Sequence, residues 1–238
     1  MLNQLSNAVA LYLAPVLSFT AVLLVIFSYL SPTVMLQTQV SLLVVKPSLL
    51  LLPNPSNDKI DGPSLFLGPL GSCSRTSNSA AVNCTMPVLS PTYDLSVLPS
   101  DASRWLSAPT ATTPAFIGVS LGFSTIFFVL FSLIAFRARL GRLGATLERP
   151  MVQRACAWIG IFGFMIGISS FLIIRLWFGK AVDDFNQSIQ LEGDNGAHLM
   201  AVLSNGFTMV WVGYVFHAIP LVCALAKIHI TAAPPGKV

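Results

Sequence analysis

The sequence predicts an all-α membrane protein: a four-transmembrane-helix bundle with a small, β-rich, disulfide-containing extracellular domain in the first outer loop. Three observations carry that prediction. Of 238 residues, 54% are hydrophobic and only 9% are charged, with a mean hydropathy of +0.76. Soluble domains carry roughly a quarter charged residues, so this chain lacks the charge to cover a water-facing surface. Four apolar runs each reach the roughly 30 Å of a bilayer core at about 1.5 Å per residue. Finally, the connections between the runs differ in charge, and one of them holds a close cysteine pair. The net charge of +4 is small and its basic residues do not interleave with aromatics, so no nucleic-acid partner is expected.

Residues 1–30 read as a cytoplasmic N-terminus and first span, with the uncharged run at 9–30. Pro15 falls in its first turns, where a missing donor costs least. A secretory signal peptide would want a basic start, a shorter apolar core and a small-residue cleavage site. Residues 1–8 carry no charged side chain and Ser31-Pro32 is a poor cleavage site, which favours an uncleaved helix. Residues 31–114 follow as the first outer loop. Their stretch 40–52 is apolar and partly β-branched but too short to span, and Lys46-Pro47 would break a buried helix. A strand or strand pair is therefore expected there. Residues 54–59 and 61–63 are turn material, and a second extended stretch is expected around 85–98. The Ser-, Thr- and Pro-rich stretch 99–114 suits a linker, with room for O-linked sugars.

The second, third and fourth spans are expected at 115–136, 152–178 and 201–226. A basic loop at 137–151 and a second outer loop at 179–200 separate them, and a short tail at 227–238 follows. Arg137, Arg139, Arg142, Arg149 and Arg154 cluster around the first of these connections against one acid, Glu148. The second holds Lys180 with Asp183, Asp184, Glu192 and Asp194. Positive charge stays on the cytoplasmic side, which puts the arginine loop and both termini in the cytoplasm. Two glycosylation acceptors, Asn83-Cys84-Thr85 and Asn186-Gln187-Ser188, then fall one in each outer loop.

In an oxidising compartment Cys73 and Cys84 default to a disulfide, with two free thiols as the alternative. No His lies near them, so no metal site is expected. Gly68 and Gly71 suit a tight turn leading into the bridge. Within the spans, Gly118 with Gly122 and Gly163 with Gly167 form small-xxx-small patterns that let helix backbones approach, inside one bundle or between copies. Arg175 is expected to snorkel outward to Asp183 or Asp184, and His217, with no acid in any span, to be a packed imidazole. Cys156 and Cys223 read as buried apolar cysteines or as palmitoylation sites. Leu140, Leu143, Leu147 and Met151 recur at helical spacing among Arg137, Arg139, Arg142 and Arg149. That pattern suits a short interfacial helix on the inner leaflet, or equally a solvated loop. No catalytic constellation, cofactor motif or His/Cys metal cluster stands out, so an enzyme is not expected.

Between Phe66 and Leu98 the chain resembles the fungal PalI family. Gly71, Cys73 and Cys84 match that family's glycine-cysteine-cysteine pattern, and Tyr93-Asp94-Leu95 precedes the second span. Ser72 stands where an aromatic is usual. The family comprises a pH-response regulator and eisosome-associated tetraspans of the cell cortex, and its layout is claudin-like: four spans and a large first outer loop holding a cysteine pair. The resemblance implies a multi-pass plasma-membrane glycoprotein acting as a non-enzymatic organiser or adaptor at the fungal cell cortex. Membrane-domain organisation, cell-wall integrity and ambient sensing are the roles it suggests. The implied partners are the lipid bilayer and other membrane proteins, either further copies in a homo-oligomer or a larger polytopic protein. Claudin-like tetraspans also suggest an alternative, an auxiliary subunit of a channel or large membrane enzyme, for example in calcium uptake or mating.

Overall fold

The computed structural model describes residues 12–48, 61–99, 104–192 and 198–232. The turn expected at 54–59 and parts of the expected linker, second outer loop and tail lie outside the described residues. A long apolar run satisfies its backbone donors and acceptors without water by bonding within itself, and the described parts of the four runs are helical accordingly, save at their ends, where residues 201–203 are strand. They form α1 (Ala14–Leu30), α2 (Thr112–Ala135), α4 (Pro150–Glu192) and α5 (Asn205–Ala232). A 3₁₀ turn (Arg137–Arg139) and the short α3 (Arg142–Leu147) lie between α2 and α4. Proline marks three helix starts, at Pro15, Pro114 and Pro150, where its fixed φ fits and its missing N–H has no partner to lose.

Among the described residues three helical stretches, Thr112–Ala135, Pro150–Leu191 and Asn205–Ala226, are long and apolar enough to cross a membrane, with best-window mean hydropathies of 2.3, 2.2 and 1.9. The helix α1 is equally apolar, but its described part has 17 residues. Residues 9–11 of the expected first span lie outside the described residues.

Two expected boundaries move. The helix α4 does not stop at Phe178 but continues to Glu192, so the first part of the expected second outer loop is helical. Phe178, Ala181, Phe185 and Ile189 explain the extension: they recur at helical spacing and are all buried, the stripe of an amphipathic helix. Lys180 and Asp184 form an i,i+4 ion pair at 3.1 Å along the same stretch. The charges that end the apolar run therefore do not end the helix. Residues 199–203 form a strand, so the last helix begins at Asn205 rather than at 201.

That strand, β5 (Leu199–Leu203), belongs to a five-stranded antiparallel sheet. The others are β1 (Leu43–Pro47), β2 (Ser64–Leu67), β3 (Ser72–Arg75) and β4 (Asn83–Cys84), in the order β4-β3-β2-β1-β5. The strand expected within 40–52 is β1, which lies between two neighbours. Val45 faces Leu65 on β2 and Ala201 on β5, and all three are fully buried. Pro47, which has no donor to give, sits at the strand's end. The second extended stretch expected around 85–98 forms no strand beyond β4; it runs as irregular chain held by hydrogen bonds.

The chain divides into two compact units. One holds residues up to 26, 116–169 and from 211 onward. Its core clusters Phe127, Phe131, Ile134, Cys156, Ala157 and Leu221. The other holds 27–115 and 170–210, including the whole sheet.

Candidate functional site

The sheet edge carrying the cysteines is covalently constrained. Cys73 on β3 and Cys84 on β4 are direct register partners and are joined as a disulfide. The turn feeding this edge is the tight one that the glycines suggest: Gly68 N–H donates to the Gly71 carbonyl at 2.9 Å between β2 and β3. Glycine is required at 71, because a Cβ there would sit 2.4 Å from Thr85 Oγ1 and 2.9 Å from a Thr33 methyl.

Beyond the bridge, residues 85–98 are fastened back over this turn. Thr85 N–H donates to the Ser72 carbonyl at 2.9 Å, and Thr85 Oγ1 accepts the Ser72 N–H at 2.9 Å. The Tyr93 hydroxyl donates to the Gly68 carbonyl at 2.8 Å, and the Asp94 N–H donates to Ser72 Oγ at 2.9 Å. Burial pushes the Tyr93 phenol up from its ordinary pKa, which keeps it a donor. Hydrogen bonds from Ser96 hold the Asp94 carboxyl below its ordinary value, with the Ser96 N–H 3.1 Å from Asp94 Oδ1. The Tyr93-Asp94 segment thus acts as a clasp on the turn, a role that its sequence position alone does not reveal.

The two acceptor asparagines occupy very different settings. Asn83 is exposed on β4, although its partner Thr85 is engaged with Ser72. Asn186 lies on the polar extension of α4 and is half-buried. Its Nδ2 donates to the Ala201 carbonyl at 2.9 Å, and its Oδ1 accepts the Ala201 N–H at 2.8 Å. The side-chain amide behaves as one residue of an additional strand, satisfying the outer edge of β5. The sequence reads Asn186 as a sugar acceptor, whereas the fold gives its amide a structural bond on both sides.

Of the four packing glycines, the structure separates one pair from the other. A Cβ on Gly167 would lie 1.9 Å from the Tyr214 hydroxyl and 2.2 Å from Ser120 Oγ, and one on Gly163 would lie 3.1 Å from Phe123 Cβ. Ser120 Oγ donates to the Gly163 carbonyl at 2.7 Å. Both glycines of α4 therefore serve close approach inside the unit. Gly122 has nothing within 4 Å of a built Cβ, so its missing side chain makes no close approach within the chain. Gly118 is half-buried.

The Arg175 guanidinium stands over the Phe207 ring at 5.8 Å, and Lys180 pairs with Asp184. His217 is buried and packed, with ring centroids 5.1 Å from Phe127 and 6.1 Å from Phe164. Cys156 is buried and Cys223 partly so. The expected interfacial helix is reduced to the six residues of α3. Around it Arg139, Arg142, Arg149, Leu143 and Met151 are exposed, while Arg137 pairs with Glu148 at 3.4 Å. Among the described residues no group of three His, Cys, Asp or Glu side chains is placed to hold a metal ion.

No protein-family model matches this chain, and no curated protein matches it.

Proposed function

We propose that this chain is a claudin-like, PalI-type tetraspan of the fungal plasma membrane, working as a non-enzymatic organiser or adaptor at the cell cortex. The observation that carries the reading is the disulfide-pinned sheet. It is built almost wholly from the connection between the first two apolar helices and completed by one strand from the last connection. A rigid covalent platform held by membrane helices is suited to recognising wall or partner proteins rather than to turnover. In this reading α1 also crosses, as the first of four spans, both termini are cytoplasmic, the sheet is extracellular, and Asn83 is the glycan site. Arg137, Arg139, Arg142 and Arg149 contact the inner leaflet, worth about 1 kcal/mol each near an anionic surface.

The test is native purification of the wild type and of a Cys73→Ser/Cys84→Ser variant from fungal membranes, with bound proteins identified by mass spectrometry. An organiser yields homo-oligomers or clustered cortex proteins, and the variant loses surface delivery and partners. Unchanged delivery and partner binding in the variant would sink the proposal. A stoichiometric complex with one large polytopic protein would replace it with the auxiliary-subunit role.

A further inference from the structure

Beside α4, at the level where its apolar run gives way to charge, lies a groove of about 470 Å³. Volumes of that order hold small ligands. One wall is a single face of α4, because Ile173, Leu176, Trp177, Lys180 and Asp184 follow at helical spacing. The other wall is the 104–107 segment, which contributes Arg104 and Trp105. Trp177 Nε1–H donates to the Ser107 carbonyl at 3.1 Å, and Leu106 between them is buried. The second wall is thus fastened to the first.

The chemistry of the groove is graded along the helix. Ile173 and Leu176 are strongly exposed aliphatics, at 57% and 74%, below which α4 continues as apolar helix. The exposed indoles of Trp105 and Trp177 come next, the side chains that favour the ester and head-group level of a bilayer. Lys180 follows Trp177 on α4 and Asp184 lies one turn further on, with Arg104 also lining the groove. Ile173 to Lys180 spans about 10 Å of helix. The Lys180–Asp184 pair is solvent-exposed on the lysine side, so it is weak and leaves the ammonium with two further donors. Aliphatic, aromatic, cationic and then anionic groups in that order are complementary to one molecule type, a phospholipid with an acyl chain, glycerol esters, a phosphodiester and an amine-bearing head.

We propose that this groove holds a single membrane phospholipid. Its acyl chain lies along Ile173 and Leu176, its ester region between Trp105 and Trp177, and its phosphodiester at Lys180 and Arg104. The site requires only that α4 lie in a bilayer, and it stands or falls apart from the organiser role. The test uses the full chain in detergent, stripped of lipid and then exposed to phosphatidylcholine or phosphatidylserine micelles, with native mass spectrometry counting lipids retained per chain. Wild type retains one phospholipid, and an Arg104→Gln/Lys180→Gln variant retains it about tenfold more weakly. Trp177→Phe keeps an aromatic side chain but removes the bond to Ser107, and it also weakens retention. Circular dichroism and an intact Cys73–Cys84 bridge certify folding of each variant. Equal retention by the wild type and the folded variants overturns the proposal. So does displacement by inorganic phosphate as effective as by phospholipid, which would make the groove a simple anion site.

Discussion

Asn186 shows how much one side chain decides at the residue scale. Its amide meets both backbone groups of Ala201, and removing it leaves a donor and an acceptor unpaired at a half-buried edge. Unsatisfied groups of this kind cost about 1–3 kcal/mol. Asn186→Ala is therefore expected to lower the stability of the sheet-bearing unit by that order, read as a lower denaturation midpoint of the purified protein. Asn186→Asp fails similarly, since a carboxylate accepts from Ala201 but cannot donate to it. Tyr93 gives a pH signature. Its folded-state pKa is raised by burial, so the folded form holds its proton more tightly than the unfolded form does. The clasp is at full strength below the ordinary phenol value of about 10 and weakens as pH rises beyond it. Midpoints measured across alkaline pH should fall in the wild type, and Tyr93→Phe should lose that component at a neutral-pH cost of about 0.5–1.5 kcal/mol.

At the scale of elements, the disulfide and the extended α4 do different work. The bridge closes a short loop, with a sequence separation of 11, and such closures contribute about 2–4 kcal/mol, chiefly through the unfolded state. Mild reduction should therefore expose the 76–82 connection to protease before the helices respond, as limited proteolysis with peptide mapping would show. The helix α4 carries its apolar stripe past the membrane-like run and into the sheet-bearing unit. Phe185 is fully buried there, and Phe185→Ala is expected to cost about 3–5 kcal/mol. That extension was legible in the spacing of Phe178, Ala181, Phe185 and Ile189. A reading keyed to charge misses it, because Lys180, Asp183 and Asp184 mark the end of lipid-facing surface and not the end of helix. The β2 and β3 strands were hidden for another reason. With four residues each, neither carries a periodic signal, and their pairing follows from the turn at Gly68–Gly71.

At the scale of the whole molecule, the proposed four-span arrangement makes a sidedness prediction. Reporter tags at the N-terminus and within 137–149 should lie on the same, cytoplasmic side, and a tag within 76–80 on the opposite side. Protease protection in sealed vesicles measures this directly. An N-terminal tag on the same side as 76–80 would mean that α1 does not cross, leaving the three long apolar helices as the spans.

Sequence alone determined the helical membrane character, the long apolar helices, the cysteine pair's short loop and the presence of a strand within residues 40–52. Those properties depend on composition and on periods within single segments. Only the tertiary structure decided that residues 199–203 leave the last span to pair with β1. It also turned Asn186 toward Ala201, gave Gly163 and Gly167 close contacts while leaving Gly122 open, and joined Trp177 to Ser107. Each of these depends on which backbone groups and surfaces meet across long sequence separations, and local pattern carries no record of that partner.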